Sequence, residues 1–97
     1  MVTRTRRFEW DAEKNRANIA QHRIDFGEAK RIFNHPTLDI LDDRFDYGEM
    51  RTVSIGTTNG ITLLVVVHTD RNNVTRIISA RRAEKAEQKR YDRYFGS

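Results

Sequence analysis

The sequence predicts an α+β fold in which a small antiparallel sheet of three to four strands carries two N-terminal helices and one C-terminal helix. Residues 51–80 contain β-branched segments separated by turn-forming residues, a pattern typical of consecutive antiparallel strands. The segments on either side have capping residues and apolar residues at helical spacing. With 97 residues, the chain has the length of one domain, which we expect to span residues 1–97.

The first part of the chain predicts a basic lead-in and a helix. Residues 1–7 contain three arginines without periodicity, so we expect a frayed lead-in, and residues 7–10 are compatible with a short first strand. Asp11 provides a good N-cap, because its carboxylate can accept the first free backbone N–H groups of a helix. Residues 12–21 contain no Gly or Pro and predict that helix. Its apolar stripe is thin and consists of Ala12, Ile19 and Ala20.

A second helix is predicted directly after the first. Asp25 and Glu28 have the spacing of a capping box, and Phe26 and Ile32 belong to an apolar series at helical spacing. Pro36 ends this helix, because a proline disfavours the α region for the residue before it.

The rest of the chain predicts strands and a final helix. The segments are an edge strand at 38–41, three antiparallel strands at 51–56, 61–69 and 74–80, and a C-terminal helix at 81–95. Asn59-Gly60 favours a hairpin turn, and residues 70–73 supply a second turn. Residues 61–69 are almost continuously apolar and β-branched, which is typical of a central strand buried on both faces. Residues 42–49 are expected to form a polar connection.

Composition excludes several classes of protein. The chain has no cysteine, which excludes a disulfide framework and a thiolate zinc site. Its longest apolar run, residues 63–67, is far shorter than the roughly 20 residues of a membrane helix. We therefore expect a cytoplasmic protein without membrane contact.

Positive charge is concentrated near the C-terminus. Lys and Arg outnumber Asp and Glu by 18 to 14, and most of the cations are arginine, whose guanidinium fork matches phosphate oxygens. Residues 71–97 carry eight cations and three acids, whereas residues 38–50 carry five acids and one arginine. A polyanion is therefore expected to bind the C-terminal quarter.

Metal and phosphate motifs are missing from the sequence. The three histidines are scattered without ligand spacing, and neither a glycine-rich phosphate loop nor a nucleophile elbow is present. We therefore expect neither a metal nor a cofactor. What remains is a concentration of cationic and proton-transfer groups near the last two predicted strands: His68, Arg71, Arg76, Arg81 and Arg82.

Arg76 is the most informative of these residues. Strict alternation places it on the same strand face as three apolar residues, Val74, Ile78 and Ala80. A solvated charge has no reason to lie there, so this position favours a functional role. The alternative interpretation is a surface arginine paired with Asp70 or Glu49.

Two aromatic side chains also have two interpretations. Burial at the end of an apolar strand would lower the pKa of His68 and keep a neutral base available at pH 7. A lone strand histidine is nevertheless more typical of a structural role. Trp10 could stack on a nucleic-acid base, although the single Trp of a small domain is more typical of the core.

Several segments together resemble one protein family. They are Phe8-Glu9-Trp10-Asp11 with Lys14 and Asn18, His22 with Phe26, Ala29 and Phe33, His68-Thr69, and Arg76-Ile77-Ile78-Ser79-Ala80-Arg81-Arg82-Ala83 before Glu87 and Tyr91. Over residues 8–91 the chain is thereby similar to BrnT, a family of ribonuclease toxins of type II toxin–antitoxin systems. Two positions depart from the family pattern. Arg23 replaces a usual Gly, and Asp70 stands where Glu or another residue is expected.

The resemblance implies a RelE-like fold and a metal-independent endoribonuclease that cleaves RNA by 2′-hydroxyl attack and inhibits translation. It implies a BrnA-like antitoxin as partner, in a toxin–antitoxin heterotetramer that contacts operator DNA only through the antitoxin. Carried over by position, the catalytic residues are His68, Arg71, Arg76 and Arg81. The residues carried over for RNA binding are Trp10, Lys14 and Arg82.

Two functions without catalysis stay open alongside this interpretation. The arginines also suit a module that binds DNA or RNA phosphates without cleaving them, for which salt-dependent binding without strand scission would be the sign. A third class is an interaction protein that neutralises an acidic antitoxin-like tail, for which stable co-purification without nuclease activity would be the sign.

Overall fold

The computed structural model describes residues 6–43 and 48–96. The elements in chain order are β1 Arg7–Glu9, α1 Ala12–His22, α2 Phe26–Ala29 continued by a 3₁₀ helix at Lys30–Asn34, β2 Leu38–Asp42, β3 Arg51–Thr57, β4 Leu63–Arg71, β5 Val74–Arg82 and α3 Lys85–Phe95. Within these described ranges, no helix has the length and apolar character needed to cross a membrane.

The strands form one mixed sheet with the order β1-β5-β4-β3-β2. The four strands from β2 to β5 are antiparallel as predicted, but β1 adds a fifth strand that runs parallel to β5, with Phe8 opposite Thr75. The antiparallel strands that the sequence predicts are confirmed, but the sheet has five strands instead of three to four, and the parallel β1 makes it mixed. A strand of three residues is too short to show a period, and its partner lies at the far end of the chain.

The sheet begins at Arg7, a residue within the segment that was predicted to be a frayed lead-in. Arg7 belongs to β1, and its backbone N–H donates to the carbonyl of Asn73 at 3.4 Å. The Arg6 guanidinium lies 4.5 Å from the centroid of the Phe33 ring, a cation–π contact. The remainder of the predicted lead-in, residues 1–5, lies outside the described residues, as do residues 44–47 of the predicted polar connection.

Several turns place residues in the left-handed region of backbone conformation. The turn between β4 and β5 contains only Asn72 and Asn73, with φ values of 54° and 65°, the pattern of a type I′ hairpin turn. Gly60, in the loop between β3 and β4, has a φ of 82°. Arg23 ends α1 with a φ of 60° and donates its N–H to the carbonyl of Ile19. The turn after α1 therefore uses a left-handed residue even though this chain has Arg there.

The sheet is covered on both faces by different helices. On one side, which we call the α1 face, Phe26 and Ile32 pack with Val66 and Ile77 in the larger core. On the other side, which we call the α3 face, Tyr91 of α3 packs against a smaller core. The residues of that smaller core are Leu38, Ile55 and Val65. The almost continuously apolar β4 is thus the central strand that the sequence predicts.

Helix α1 docks through a polar side chain rather than through its predicted apolar stripe. Ile19 is 37% exposed, whereas Asn18 is only 6% exposed. The Asn18 amide donates to the carbonyls of Ile24 and Ala80, both at 2.9 Å, and its oxygen accepts the Ala80 N–H at 3.1 Å. These bonds satisfy backbone groups of β5 beyond the point where β1 ends, so Asn18 extends the pairing of that strand edge.

Helix α3 begins later than the sequence predicts. Residues 81 and 82, assigned to the helix by the absence of Gly and Pro, complete β5 instead. The helix starts after Glu84, which forms a reciprocal capping box with Glu87. The Glu84 N–H donates to the Glu87 carboxylate at 2.8 Å, so a capping signal marks the change from strand to helix.

Asn18→Ala is expected to lower the free energy of unfolding by about 2–4 kcal/mol, because it leaves the backbone groups of Ala80 and Ile24 buried without their partner. Urea unfolding of the two proteins measures the difference. Gln21→Ala, an exposed change on the same helix, is the control and is expected to change stability by less than about 0.5 kcal/mol. Equal midpoints for wild type and Asn18→Ala would contradict the role of this side chain.

Candidate active site

A register shift in the sheet decides which side chains share a face. Val67 of β4 pairs with Ser79 of β5, but the next residue, His68, pairs with Ile77. One residue of β5 is therefore accommodated without a partner, as in a β-bulge. The prediction that Arg76 and Ala80 share a face is consequently wrong. Ala80 is buried in the core of the α1 face, while Arg76 extends from the α3 face.

Arg76 is held by an acid from the neighbouring strand. The parallel pairing of β1 with β5 places Glu9 opposite Arg76, and the guanidinium Nη1 lies 2.5 Å from the Glu9 Oε2. The two side chains are 48% and 52% exposed. Arg76 is thus a paired surface arginine, as the alternative interpretation of the sequence predicts. Its partner, however, is Glu9 and not Asp70 or Glu49.

This pair lies at a cleft of about 580 Å³, which we call the Arg76 cleft. The charged and hydroxyl-bearing residues among those that line it are Glu9, Glu49, Thr69, Asp70, Arg71 and Arg76. Two guanidinium groups and three carboxylates thus surround one open concavity. Such a site can bind an anionic group through the arginines and can exchange a proton with a carboxylate.

Arg81 lies on the same face as Arg76 but serves as a link to α3. Its two terminal nitrogens donate to both oxygens of Glu87, at 2.8 and 2.7 Å. This bidentate hydrogen bonding lowers the pKa of the Glu87 carboxyl, with a smaller contribution from the Glu84 N–H. The pair joins the end of β5 to the first turn of α3.

His68 is buried on the opposite face of the sheet. Its side chain is 3% exposed, and its ring packs edge-on against Phe33 with 5.1 Å between centroids. Nε2 lies 2.7 Å from the Ser54 hydroxyl, which donates to Asp39 at 2.5 Å. Because the Ser54 proton is used for Asp39, Nε2 is the nitrogen that donates to Ser54.

The other nitrogen of His68 faces an acid. Nδ1 lies 3.0 Å from Oδ2 of Asp70, a short distance at which the orientation of the two groups gives no hydrogen bond. Burial is the largest effect on the ring and lowers the pKa of His68, while the charges of Asp70 and Asp39 oppose this shift and Arg6 adds to it. The ring is therefore favoured in its neutral form.

The structure brings together some of the predicted site residues and separates others. Arg71 and Arg76 line the Arg76 cleft, Arg81 shares their face of the sheet, and His68 lies on the other face. Sequence reasoning missed Glu9 as the partner of Arg76, and no local pattern marks a pairing between residues 67 positions apart.

None of the three residues predicted to hold RNA is among those that line the Arg76 cleft. Trp10 packs against the α1-face core, edge-on to Phe26 with 6.1 Å between centroids, which is the core role typical of a single Trp. Lys14 lies exposed in the first turns of α1, and Arg82 lies exposed at the end of β5.

Metal ligands are not clustered in the part of the chain that the structure describes. Within residues 6–43 and 48–96, no group of three or more His, Asp or Glu residues could together hold an ion.

Comparison with known proteins identifies what this chain resembles. The family model described as a ribonuclease toxin, BrnT, of type II toxin–antitoxin systems matches residues 10–87. The chain is also similar to the 1.1 Å crystal structure of the Brucella abortus ribonuclease toxin BrnT, with 25% sequence identity and a TM-score of 0.62. The alignment covers 84% of this chain and 100% of that toxin chain. None of the curated proteins compared with the chain matches it.

Protonation of His68 is expected to destabilise the folded chain. Because burial lowers its pKa from the ordinary value of 6.5, the unfolded state binds the proton more strongly than the folded state does. The stability that depends on neutral His68 is therefore fully present above about pH 6.5 and decreases as the pH falls toward the folded-state pKa. An NMR titration of the His68 ring, together with urea unfolding between about pH 5 and 8, measures both quantities.

The matched control for this titration is His35→Gln, which changes an exposed histidine and is expected to keep the pH dependence that His68→Gln removes. Glu87 does not interfere, because its carboxyl titrates below the ordinary value of 4.5. A titration midpoint of His68 above 6.5 would show that Asp70 and Asp39 outweigh burial.

Proposed function

The chain belongs to the BrnT family of ribonuclease toxins, and we propose that it cleaves RNA at the Arg76 cleft without a metal ion, by attack of a 2′-hydroxyl on the adjacent phosphate. The observation that carries this proposal is the half-exposed Arg76–Glu9 pair in a concave site. In this pair a guanidinium group, which can bind a phosphate, lies beside a carboxylate, which can accept a proton.

Metal-free cleavage requires that the protein position the RNA, stabilise charge on the phosphate and move protons. The bond that forms joins the 2′-oxygen to phosphorus, and the bond that breaks releases the 5′-oxygen of the next nucleotide. The products are a 2′,3′-cyclic phosphate and a 5′-hydroxyl, the latter protonated by solvent. Arg76 and Arg71 are suited to the phosphate oxygens, since guanidinium groups bind them through charge-assisted hydrogen bonds.

Glu9 is the residue that we assign to proton removal from the 2′-hydroxyl. Its carboxylate lies in the cleft beside Arg76, whereas the His68 ring is buried and engaged by Ser54 on the other face. The Nδ1 atom of His68 lies 3.0 Å from Asp70, a residue that lines the cleft. Arg81 supports it by holding α3 to β5.

Arg76→Ala is expected to reduce RNA cleavage by about 10²- to 10³-fold, the usual cost of losing a group that stabilises transition-state charge. Glu9→Gln is expected to reduce it by about 10²- to 10⁴-fold, the usual contribution of a general base. The measurement is the cleavage rate of a labelled single-stranded RNA in excess EDTA. Arg31→Ala is the matched control, because Arg31 also pairs with an exposed acid, Glu28, but on the α2 surface.

Three outcomes of this experiment would contradict the proposal. Full activity of Arg76→Ala would place the charge-stabilising group elsewhere. Cleavage that EDTA abolishes would show that a metal is required. Salt-dependent RNA binding by all variants without any cleavage would favour the binding module that the charge pattern leaves open.

The 2′-hydroxyl mechanism predicts that one modified nucleotide blocks the reaction. Once the cleavage position is known, an RNA with a single 2′-O-methyl group on the nucleotide before that position is expected to resist cutting there, because the nucleophile is blocked. The unmodified RNA should give a fragment that ends in a 2′,3′-cyclic phosphate, identified by mass spectrometry. A 5′-phosphate on the downstream fragment would instead indicate attack by water.

Membership of a type II toxin family implies an antitoxin as a partner. We propose that this partner is BrnA-like, that the two form a heterotetramer, and that operator DNA is contacted only through the antitoxin. The support for this proposal is the family relationship. The edge strand β2, whose Leu41 is 53% exposed, offers a surface on which a partner could pair.

A further inference from the structure

A second cleft lies around the turn between β4 and β5. Its volume is about 670 Å³, and we call it the turn cleft. The residues that line it are Arg6, Arg7, Asp70, Arg71, Asn72, Asn73 and Thr75. It collects cations from two parts of the chain that are far apart in sequence, the start of β1 and the end of β4.

The arginines of the turn cleft differ from most of the other arginines of the sheet in lacking an acid partner. Within residues 6–43 and 48–96, neither Arg6, Arg7 nor Arg71 forms an ion pair with a carboxylate. Arg51, Arg76 and Arg81 of the sheet are each paired with an acid. Guanidinium groups that converge on one concavity repel each other, and a bound anion relieves that repulsion.

Asp70 is the one acid among the residues that line the turn cleft. Oδ1 accepts the hydroxyl of Thr75 at 2.6 Å, and Oδ2 lies 3.0 Å from Nδ1 of His68. Three arginines, Arg6, Arg7 and Arg71, line the cleft with this one carboxylate. The cleft keeps an excess of positive charge.

The shape of the cleft is held by neighbouring contacts. The turn itself is only two residues long and left-handed at both, Asn72 and Asn73. The Arg7 N–H donates to the Asn73 carbonyl, which joins β1 to the turn, and Arg6 is placed over the Phe33 ring. A preformed cationic site loses less entropy when it binds an anion than a flexible one.

The turn cleft is continuous with the Arg76 cleft. Asp70, Arg71 and Asn72 line both, so a chain seated at Arg76 can continue over the turn to Arg6 and Arg7. We propose that the turn cleft binds a phosphodiester of the same RNA strand, beyond the phosphate that is cleaved. This inference rests on the proposed function, and it adds that the substrate is a single strand able to bend over the turn, as unpaired RNA can.

Binding is tested with an RNA that cannot be cleaved. A fluorescent single-stranded 2′-O-methyl RNA is titrated with the full chain at several salt concentrations, and anisotropy gives the affinity. Arg6→Gln/Arg7→Gln is expected to weaken binding and to reduce the slope of log affinity against log salt by about 0.7 for each phosphate that the variant no longer neutralises. Arg6→Lys/Arg7→Lys keeps the charge and is expected to keep most of the slope.

The matched control is Arg16→Gln/Arg31→Gln, which removes the same charge from two exposed helix positions that already have acid partners. It is expected to leave the salt slope nearly unchanged. An equal loss of slope in the control would show that only net charge matters and would overturn the proposal. The proposal would also be overturned if the Arg6→Gln/Arg7→Gln protein bound an acidic peptide more weakly than the wild type but bound the RNA equally well.

Cleavage kinetics give a second, independent readout. For an RNA of about ten nucleotides, Arg6→Gln/Arg7→Gln is expected to raise KM about tenfold with kcat unchanged, because about 1.4 kcal/mol of binding is removed away from the reacting phosphate. For a dinucleotide, which has no further phosphate, KM should not change. An equal rise for both substrates, or none for either, would overturn the proposal. If the wild-type chain cuts neither RNA, the proposed function fails, while the binding measurement still decides the turn cleft.

Discussion

The register shift between β4 and β5 is the constraint on which the placement of the charged residues depends. Because one residue of β5 has no partner at this point, the strand continues with its two faces exchanged. Ile77 and Ala80 can therefore both pack in the core of the α1 face. The same exchange places Arg76 and Arg81 together on the α3 face, although an odd number of positions separates them. A regular strand would have placed the members of each pair on opposite faces.

The two faces of the sheet meet different physical demands. The α1 face buries polar groups, and Asn18 and His68 have partners there that fix the positions of α1 and β4. The α3 face is covered by the helix only around Leu38, Ile55 and Val65, so its other end stays open beside the β4–β5 turn. Rigidity on one side thus supports an accessible, charged surface on the other.

Local signals predicted most of the elements, because the residues that determine them are close together in the sequence. Asp11 caps α1, the 3₁₀ helix that continues α2 ends before Pro36, and the apolar β4 is central. The pairing of β1, the register shift and the docking of Asn18 depend on contacts between distant segments, so periodicity could not reveal them. For the same reason the sequence indicated Arg71, Arg76 and Arg81 as site residues but did not indicate Glu9. It predicted the burial of His68, which the structure confirms, but not that this residue lies on the opposite face of the sheet.

The parallel pairing of β1 with β5 also affects when the fold can be completed. Glu9 and Arg76 are 67 positions apart, so β1 has no partner strand until almost the whole chain has been synthesised. During translation, the N-terminal segment must wait for β5 to leave the ribosome before the Arg76 cleft exists. A chain interrupted before β5 would lack this cleft entirely. The topology therefore ties assembly of the charged site to the end of synthesis.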